Sequence, residues 1–176
     1  MGTRLGSAYA DRPKAMVPVA GMPFIAHQLR LLKREGVQDV VLSVSHMSEQ
    51  IENYVCDGSQ FGLSVRYSND GATPLGTGGA CRKALPLLPE EFAILYGDTY
   101  LDINFAPIFQ LFQTCGKNAL ITVLANADQW DKSNMLFRDG VIVAYEKVSP
   151  SPEMKHIDYG LMLLKKSVLS GFSETQ

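Results

Sequence analysis

Apolar and polar positions along this chain fall into two alternating rhythms. Over residues 23–35, Phe24, Ile25, Leu29 and Leu32 recur at helical spacing, with Pro23 suited to a first turn and Gly36 to a helix end, so a helix is predicted there. Residues 37–45 then hold Val40, Val41, Leu42 and Val44 in a nearly continuous apolar run. Such runs mark parallel strands covered on both faces. Ser48 is placed to cap a short helix through Val55, and residues 63–67 supply the next strand. A glycine-rich turn leads into a predicted helix over 77–85, followed by a buried strand over 92–96 that stops at Gly97-Asp98. Helical spacing resumes over 105–114 and strand composition over 120–125. The alternation predicts a layered α/β sheet.

From Trp130 the rhythm changes. Residues 135–138, the Asp139-Gly140 turn and residues 141–146 predict a β-hairpin, residues 156–164 a further strand, and Lys165 the start of a helix. With 176 residues, 46% of them hydrophobic, one substantial core and one domain over 1–176 are expected. Basic residues are scattered and the formal net charge is -2, which gives no electrostatic reason to expect nucleic acid. No apolar run is long enough to span a bilayer and the first residues lack a signal-peptide pattern, so no membrane partner and a cytoplasmic location are expected. Cys56, Cys81 and Cys115 are odd in number and widely spaced, which fits reduced thiols.

The candidate chemistry begins with phosphate. Gly2 and Thr3 offer close backbone approach and donors, Arg4 a planar fork of donors, and Lys14 a second, more mobile cation. Two cations on one loop suit the charge that develops when a phosphoryl group changes partner. A solvated basic loop is the plainer use of the same residues. Asp98, at the carboxyl end of an apolar strand, would project a hard oxygen ligand into the crevice where open α/β sheets bind ligands. No Ser-His-Asp or Cys-His arrangement is present to support covalent catalysis.

Gly2-Thr3-Arg4-Leu5, Pro13 to Pro18, Gly21-Met22-Pro23-Phe24-Ile25, Pro74-Leu75-Gly76-Thr77-Gly78-Gly79-Ala80 and Gly97-Asp98-Thr99 fall in an order and spacing that resembles the sugar-1-phosphate nucleotidylyltransferases, nearly end to end. The resemblance implies a Rossmann-like three-layer α/β/α mixed sheet, with a nucleotide-binding part over 1–125 and a sugar-binding part over 126–176. It implies that Pro74, Gly76, Thr77, Gly78 and Gly79 form the nucleobase loop, that Asp98 holds Mg²⁺, and that Arg4 and Lys14 serve the phosphates. On the sugar side, Glu146 matches a residue that accepts from sugar hydroxyls and Lys147 one that meets the sugar phosphate. Asn134 takes the approximate place of a glycine beside the sugar, and Tyr159-Gly160 resembles the segment along the ring, with core packing as the competing use of Tyr159.

In the family an apolar strand normally precedes Gly-Thr-Arg-Leu and lies mid-sheet, and a second metal-binding aspartate follows the Tyr-Gly segment; neither has a match here. The sheet is therefore expected to lack its first strand, and the chain alone to be poorly soluble or associated with another chain, a homo-oligomer included. The expected activity is transfer of a nucleoside monophosphate from a nucleoside triphosphate, GTP favoured, to a sugar 1-phosphate of the heptose or mannose kind. A non-catalytic nucleotide-sugar-binding or regulatory domain, or an inactive part of a longer enzyme, are the competing expectations.

Overall fold

The computed structural model describes residues 11–71, 73 and 75–170. Its first strands form a small antiparallel ribbon, β1 (Pro18–Val19) and β2 (Met22–Pro23), which the sequence pattern does not predict. Two residues per strand are too few to show a period. Its turn is Ala20-Gly21, both at positive φ (47° and 82°), the geometry that closes two-residue hairpins. The predicted helix follows as α1 (Phe24–Arg34), burying Ile25, Ala26, Gln28, Leu29 and Leu31, and the chain reverses at Gly36 with φ 85°.

Strand β3 (Asp39–Val44) runs parallel to β4 (Ser64–Asn69), with α2 (Ser48–Val55) between them in sequence. Ser48 does not cap α2. It is the first helical residue, Met47 stands before it in the left-handed region, and the Ser48 hydroxyl accepts a hydrogen bond from Asn69 Nδ2 at 3.0 Å, tying the helix to β4 instead. Ile25, Leu29, Val44, Ile51, Val55, Leu63 and Val65 form the core of this half.

The second half is a five-stranded sheet around β9 (His156–Lys165). On one side β9 pairs antiparallel with β5 (Glu91–Leu95), and on the other with β6 (Ala119–Ala125). The β6 register slips between Ile121 and Val123, and the Thr122 hydroxyl fills the break: it donates to Leu161 O at 2.9 Å and accepts from Leu161 N–H at 3.2 Å. A hairpin of β7 (Met135–Arg138) and β8 (Val141–Tyr145) joins at Met135, paired with His156, and turns through Asp139 and Gly140 at φ 51° and 79°. Helices α3 (Gly76–Ala84), α4 (Ala106–Thr114) and α5 (Lys166–Ser170) complete the described chain. Leu101, Phe105, Phe112, Leu161 and Leu163 form a second core.

The halves meet at α1. Leu29 belongs to the first core while Leu32 packs on the second, Glu35 accepts from the Phe105 N–H at 3.1 Å, and Arg34 pairs with Asp102. Strand β3 pairs with β4 only and β5 with β9 only among the described strands. Both β3 (Val40, Leu42) and β5 (Phe92, Leu95) line an apolar cavity of about 530 Å³, floored by Leu29 and Phe105. Parallel and antiparallel pairs are both present, in the mixed α/β architecture predicted, with the parallel pair β3–β4 and the antiparallel sheet around β9 not hydrogen-bonded to each other among the described strands. No helix among the described residues is long and apolar enough to cross a membrane.

Candidate active site

Strand β5 delivers the chain into a turn at Tyr96 to Thr99, closed by the Thr99 N–H donating to Tyr96 O at 3.1 Å. The buried Gln28 amide, reaching over from α1, donates to Tyr96 O at 2.9 Å and to Thr99 O at 2.8 Å. One side chain thereby satisfies both carbonyls that flank Gly97-Asp98. From the other side β9 approaches through Gly160, at φ 100°, where a Cβ would lie 2.7 Å from Thr99 Cγ2; only glycine permits this contact. The turn is held from two elements, and Asp98 projects at its tip. Opposite, Pro13 leads into a single 3-10 turn, Lys14–Met16. Lys14 Nζ lies 3.7 Å from Asp98 Oδ2, with side chains 49% and 66% exposed.

The glycine-rich loop follows β4. Asn69 Oδ1 accepts from Gly71 N–H at 2.8 Å and Asp70 Oδ2 from Leu75 N–H at 3.3 Å, so two side chains shape the loop's path. Gly76, at φ 71°, opens α3, while Thr77 and Gly78 are exposed at its start and Gly79 sits where a Cβ would meet Leu75 at 2.8 Å. The N–H groups of that first turn have no partners within the helix and suit an electron-rich ligand. Pro74, Gly2, Thr3 and Arg4 lie outside the described residues.

A second cavity, of about 380 Å³ and far more polar than the one between β3 and β5, is lined by Thr77, Tyr96, Asn134, Tyr145, Lys147 and Asp158 among others. Three elements converge here: the start of α3, the end of β5 and the sheet around β9. Tyr96 Oη donates to Asp158 Oδ2 at 2.8 Å. Burial, and then the Asp158 carboxylate, push the Tyr96 phenol well above its ordinary pKa, so it stays protonated as a donor. Lys147 Nζ stands 5.3 Å from the Tyr145 ring centre, and its pKa is raised, chiefly by Tyr145. Asn134 Oδ1 is buried with no hydrogen-bond partner among the described residues.

The structure thus brings Thr77, Asn134 and Lys147 to one cavity and sets Lys14 against Asp98. Glu146 is placed differently: its carboxylate accepts from the Val148 N–H at 2.7 Å, outside the cavity lining. Tyr159 packs against the Leu101–Leu163 core and Gly160 is buried beneath Thr99. Tyr96 and Asp158 were missed by sequence reasoning. They are 62 residues apart, and the only local signal was that each adjoins a motif, Gly97-Asp98 and Tyr159-Gly160.

Residues 1–145 match the family described as nucleotidyl transferase. The chain belongs to that family. This nucleotidyltransferase is 32% identical to the D-glycero-alpha-D-manno-heptose 1-phosphate guanylyltransferase of Campylobacter jejuni, across 98% of this chain and 76% of the relative. It is 30% identical to the mannose-1-phosphate guanylyltransferase catalytic subunit beta of Drosophila pseudoobscura pseudoobscura, across 96% of this chain and 46% of the relative. The chain therefore spans about three quarters of the first and less than half of the second. Among solved structures, HddC from Yersinia pseudotuberculosis superposes with a TM-score of 0.80 at 24% identity, covering 100% of this chain and 78% of that one; a second structure of it is complexed with GMP-PN. These likenesses make the chain a sugar-1-phosphate nucleotidyltransferase with the mixed α/β fold of that family.

Proposed function

We propose that this chain carries guanylyl transfer from GTP to a heptose or mannose 1-phosphate, releasing pyrophosphate. The sugar phosphate oxygen attacks the α-phosphorus in line, a P–O bond forms, and the bond from the α-phosphorus to the bridging oxygen of pyrophosphate breaks. In this reading the loop from Pro74 to Gly79 takes the base, Gly2, Thr3 and Arg4 take phosphates, and Lys147 meets the sugar phosphate. The observation that carries it is Lys14 facing Asp98 at 3.7 Å at the end of β5. A cation and a hard anion, both solvent-accessible, suit phosphate oxygens and a divalent ion respectively.

Asp98 fits Mg²⁺ chemically. Its carboxylate is exposed, it is an oxygen donor, and Mg²⁺ is commonly held by one or two carboxylates together with substrate phosphates. Bound there, the ion would supply positive charge to the phosphate oxygens. Lys14 then has the separate task of neutralising charge on the phosphates once it exchanges Asp98 for substrate. Gln28 and Gly160 fix the turn, so that Asp98 is presented without reorganisation. The guanylyltransferase relatives support the choice of base and sugar.

Pyrophosphate release should be measured with GTP, UTP, dTTP and CTP against mannose, glucose and heptose 1-phosphates, with Mg²⁺ and with EDTA. The expected result is Mg²⁺-dependent release, fastest with GTP and a manno-configured sugar. Release from none of the pairs would overturn the proposal, and preference for another base would correct its finer part.

A further inference from the structure

The two lysines proposed for phosphate rest on different partners. Lys14 Nζ lies 3.7 Å from the Asp98 carboxylate, whereas Lys147 Nζ stands 5.3 Å from the centre of the Tyr145 ring. Lys147 enters none of the ion pairs among the described residues. The carboxylate next to it in sequence is engaged elsewhere, Glu146 Oε1 accepting from the Val148 N–H at 2.7 Å. A carboxylate partner has to be displaced before an ammonium group can serve a phosphate. An aromatic ring attracts the same cation through its quadrupole and leaves the charge uncompensated.

Tyr145 and Lys147 both line the polar cavity, on backbone that is fixed. Tyr145 pairs with Met135, a buried residue that also pairs with His156, and the Glu146 N–H donates to Asn134 O at 2.9 Å. The Tyr145 side of the pair is 46% exposed, so burial in a core does not account for its place. A free lysine side chain carries about 2 kcal/mol of rotamer entropy, and a ring that already holds its head reduces what is lost on docking to a ligand. Resting on the sugar-1-phosphate reading above, we propose that Tyr145 is the positioning residue for Lys147, holding its ammonium group at the cavity wall, still fully charged, for the sugar phosphate. Tyr145 acts through Lys147. Because Lys147 meets the phosphate in ground and transition states alike, the effect falls on the KM for the sugar phosphate.

The test uses the whole chain, GTP, and whichever of mannose 1-phosphate and heptose 1-phosphate is turned over faster. Tyr145→Leu should raise the KM for the sugar phosphate roughly 3- to 10-fold with little change in kcat, and Tyr145→Phe, which keeps the ring, should stay closer to wild type. In a Lys147→Met background, Tyr145→Leu should add nothing, since the ring then has no cation to hold. A ring that only packs would weaken both backgrounds equally. A second readout needs no turnover. In protein labelled for NMR at the lysine ε-carbons, with Lys147 assigned by Lys147→Met, its ε-protons should lie upfield of those of exposed lysines and move downfield in Tyr145→Leu. If Lys147→Met is inactive, this spectrum and the single Tyr145 variants decide. An unmoved Lys147 signal, an equal penalty in both backgrounds, or a sugar-phosphate KM for Tyr145→Leu within about twofold of wild type overturns this inference only. A wild type that turns over no pair overturns the proposed function and the phosphate role of Lys147 with it, whatever the spectrum shows.

Discussion

The two halves of the molecule solve the same problem unequally. Around β9 both sides are paired: β6 on one, β5 and the Met135 end of the β7–β8 hairpin on the other, with even the register break in β6 satisfied by the Thr122 hydroxyl. Around β3 only β4 is paired among the described strands, and the other edge borders an apolar cavity of about 530 Å³. Yet the proposed chemistry lies across the join. Lys14 belongs to the sparsely paired half and Asp98 to the well-paired one, and Gln28 reaches between them. The spacing of the two charged groups depends on how firmly the halves are registered, which falls to α1 and whatever fills the cavity between β3 and β5.

The largest effect is expected from filling that cavity. An apolar strand and Gly-Gly added ahead of Gly2 is expected to pair with the edges of β3 and β5 that face the cavity, each added ladder bond contributing about 0.5–1.5 kcal/mol net. A surplus of several kcal/mol should raise Tm by roughly 10 °C or more, and should strengthen triphosphate binding. Calorimetry and light scattering on both forms check it. An unextended chain that is a stable monomer, melts at the same temperature and binds triphosphate equally well would show that the two edges need no partner.

Next comes Gln28→Leu, which keeps the side chain's bulk in α1 but removes the Gln28 donor from Thr99 O and leaves Tyr96 O with the Thr99 N–H alone. An unpaired buried carbonyl costs about 1–3 kcal/mol, and a loss in that range is expected, read from urea midpoints. The comparison sharpens if Mg²⁺ affinity falls as well, because the loosened turn carries Asp98. Gly160→Ala attacks the same turn from the well-paired half. A Cβ 2.7 Å from Thr99 and φ 100° together predict a loss of about 1–3 kcal/mol, with refolding intact.

Much of this arrangement was legible from local signals. The α1 span and its reversal at Gly36, the apolar run of β3, and the Asp139-Gly140 turn of the hairpin each depend on neighbours within a few residues. What stayed hidden is non-local or too short. The β1–β2 ribbon has two residues per strand, and Ser48 gave up its capping role for a partner 21 residues away. Gln28 looks like a polar residue misplaced on an apolar face until the carbonyls of Tyr96 and Thr99, about 70 residues on, are brought to it. Among the candidate site residues, Thr77, Asn134 and Lys147 line one cavity and Lys14 meets Asp98, whereas Glu146 and Tyr159 turn to their own surroundings.

The smallest stability effect belongs to the pair most central to the proposed chemistry. Lys14 and Asp98 are both about half exposed or more and 3.7 Å apart, so as an ion pair they contribute about 0–1 kcal/mol. Lys14→Ala and Asp98→Asn should therefore leave Tm within a few degrees of wild type. Function should respond quite differently, because a charge that stabilises transferring phosphate is worth roughly 100- to 1000-fold in turnover. Lys14→Ala should lower kcat more than it raises KM, and Asp98→Asn should weaken the Mg²⁺ dependence of pyrophosphate release. The contrast between stability and turnover is what distinguishes a contact kept for chemistry from one that merely bolts the two halves together. Variants that lose several kcal/mol of stability while keeping turnover and Mg²⁺ affinity would assign Lys14 and Asp98 to the bolt.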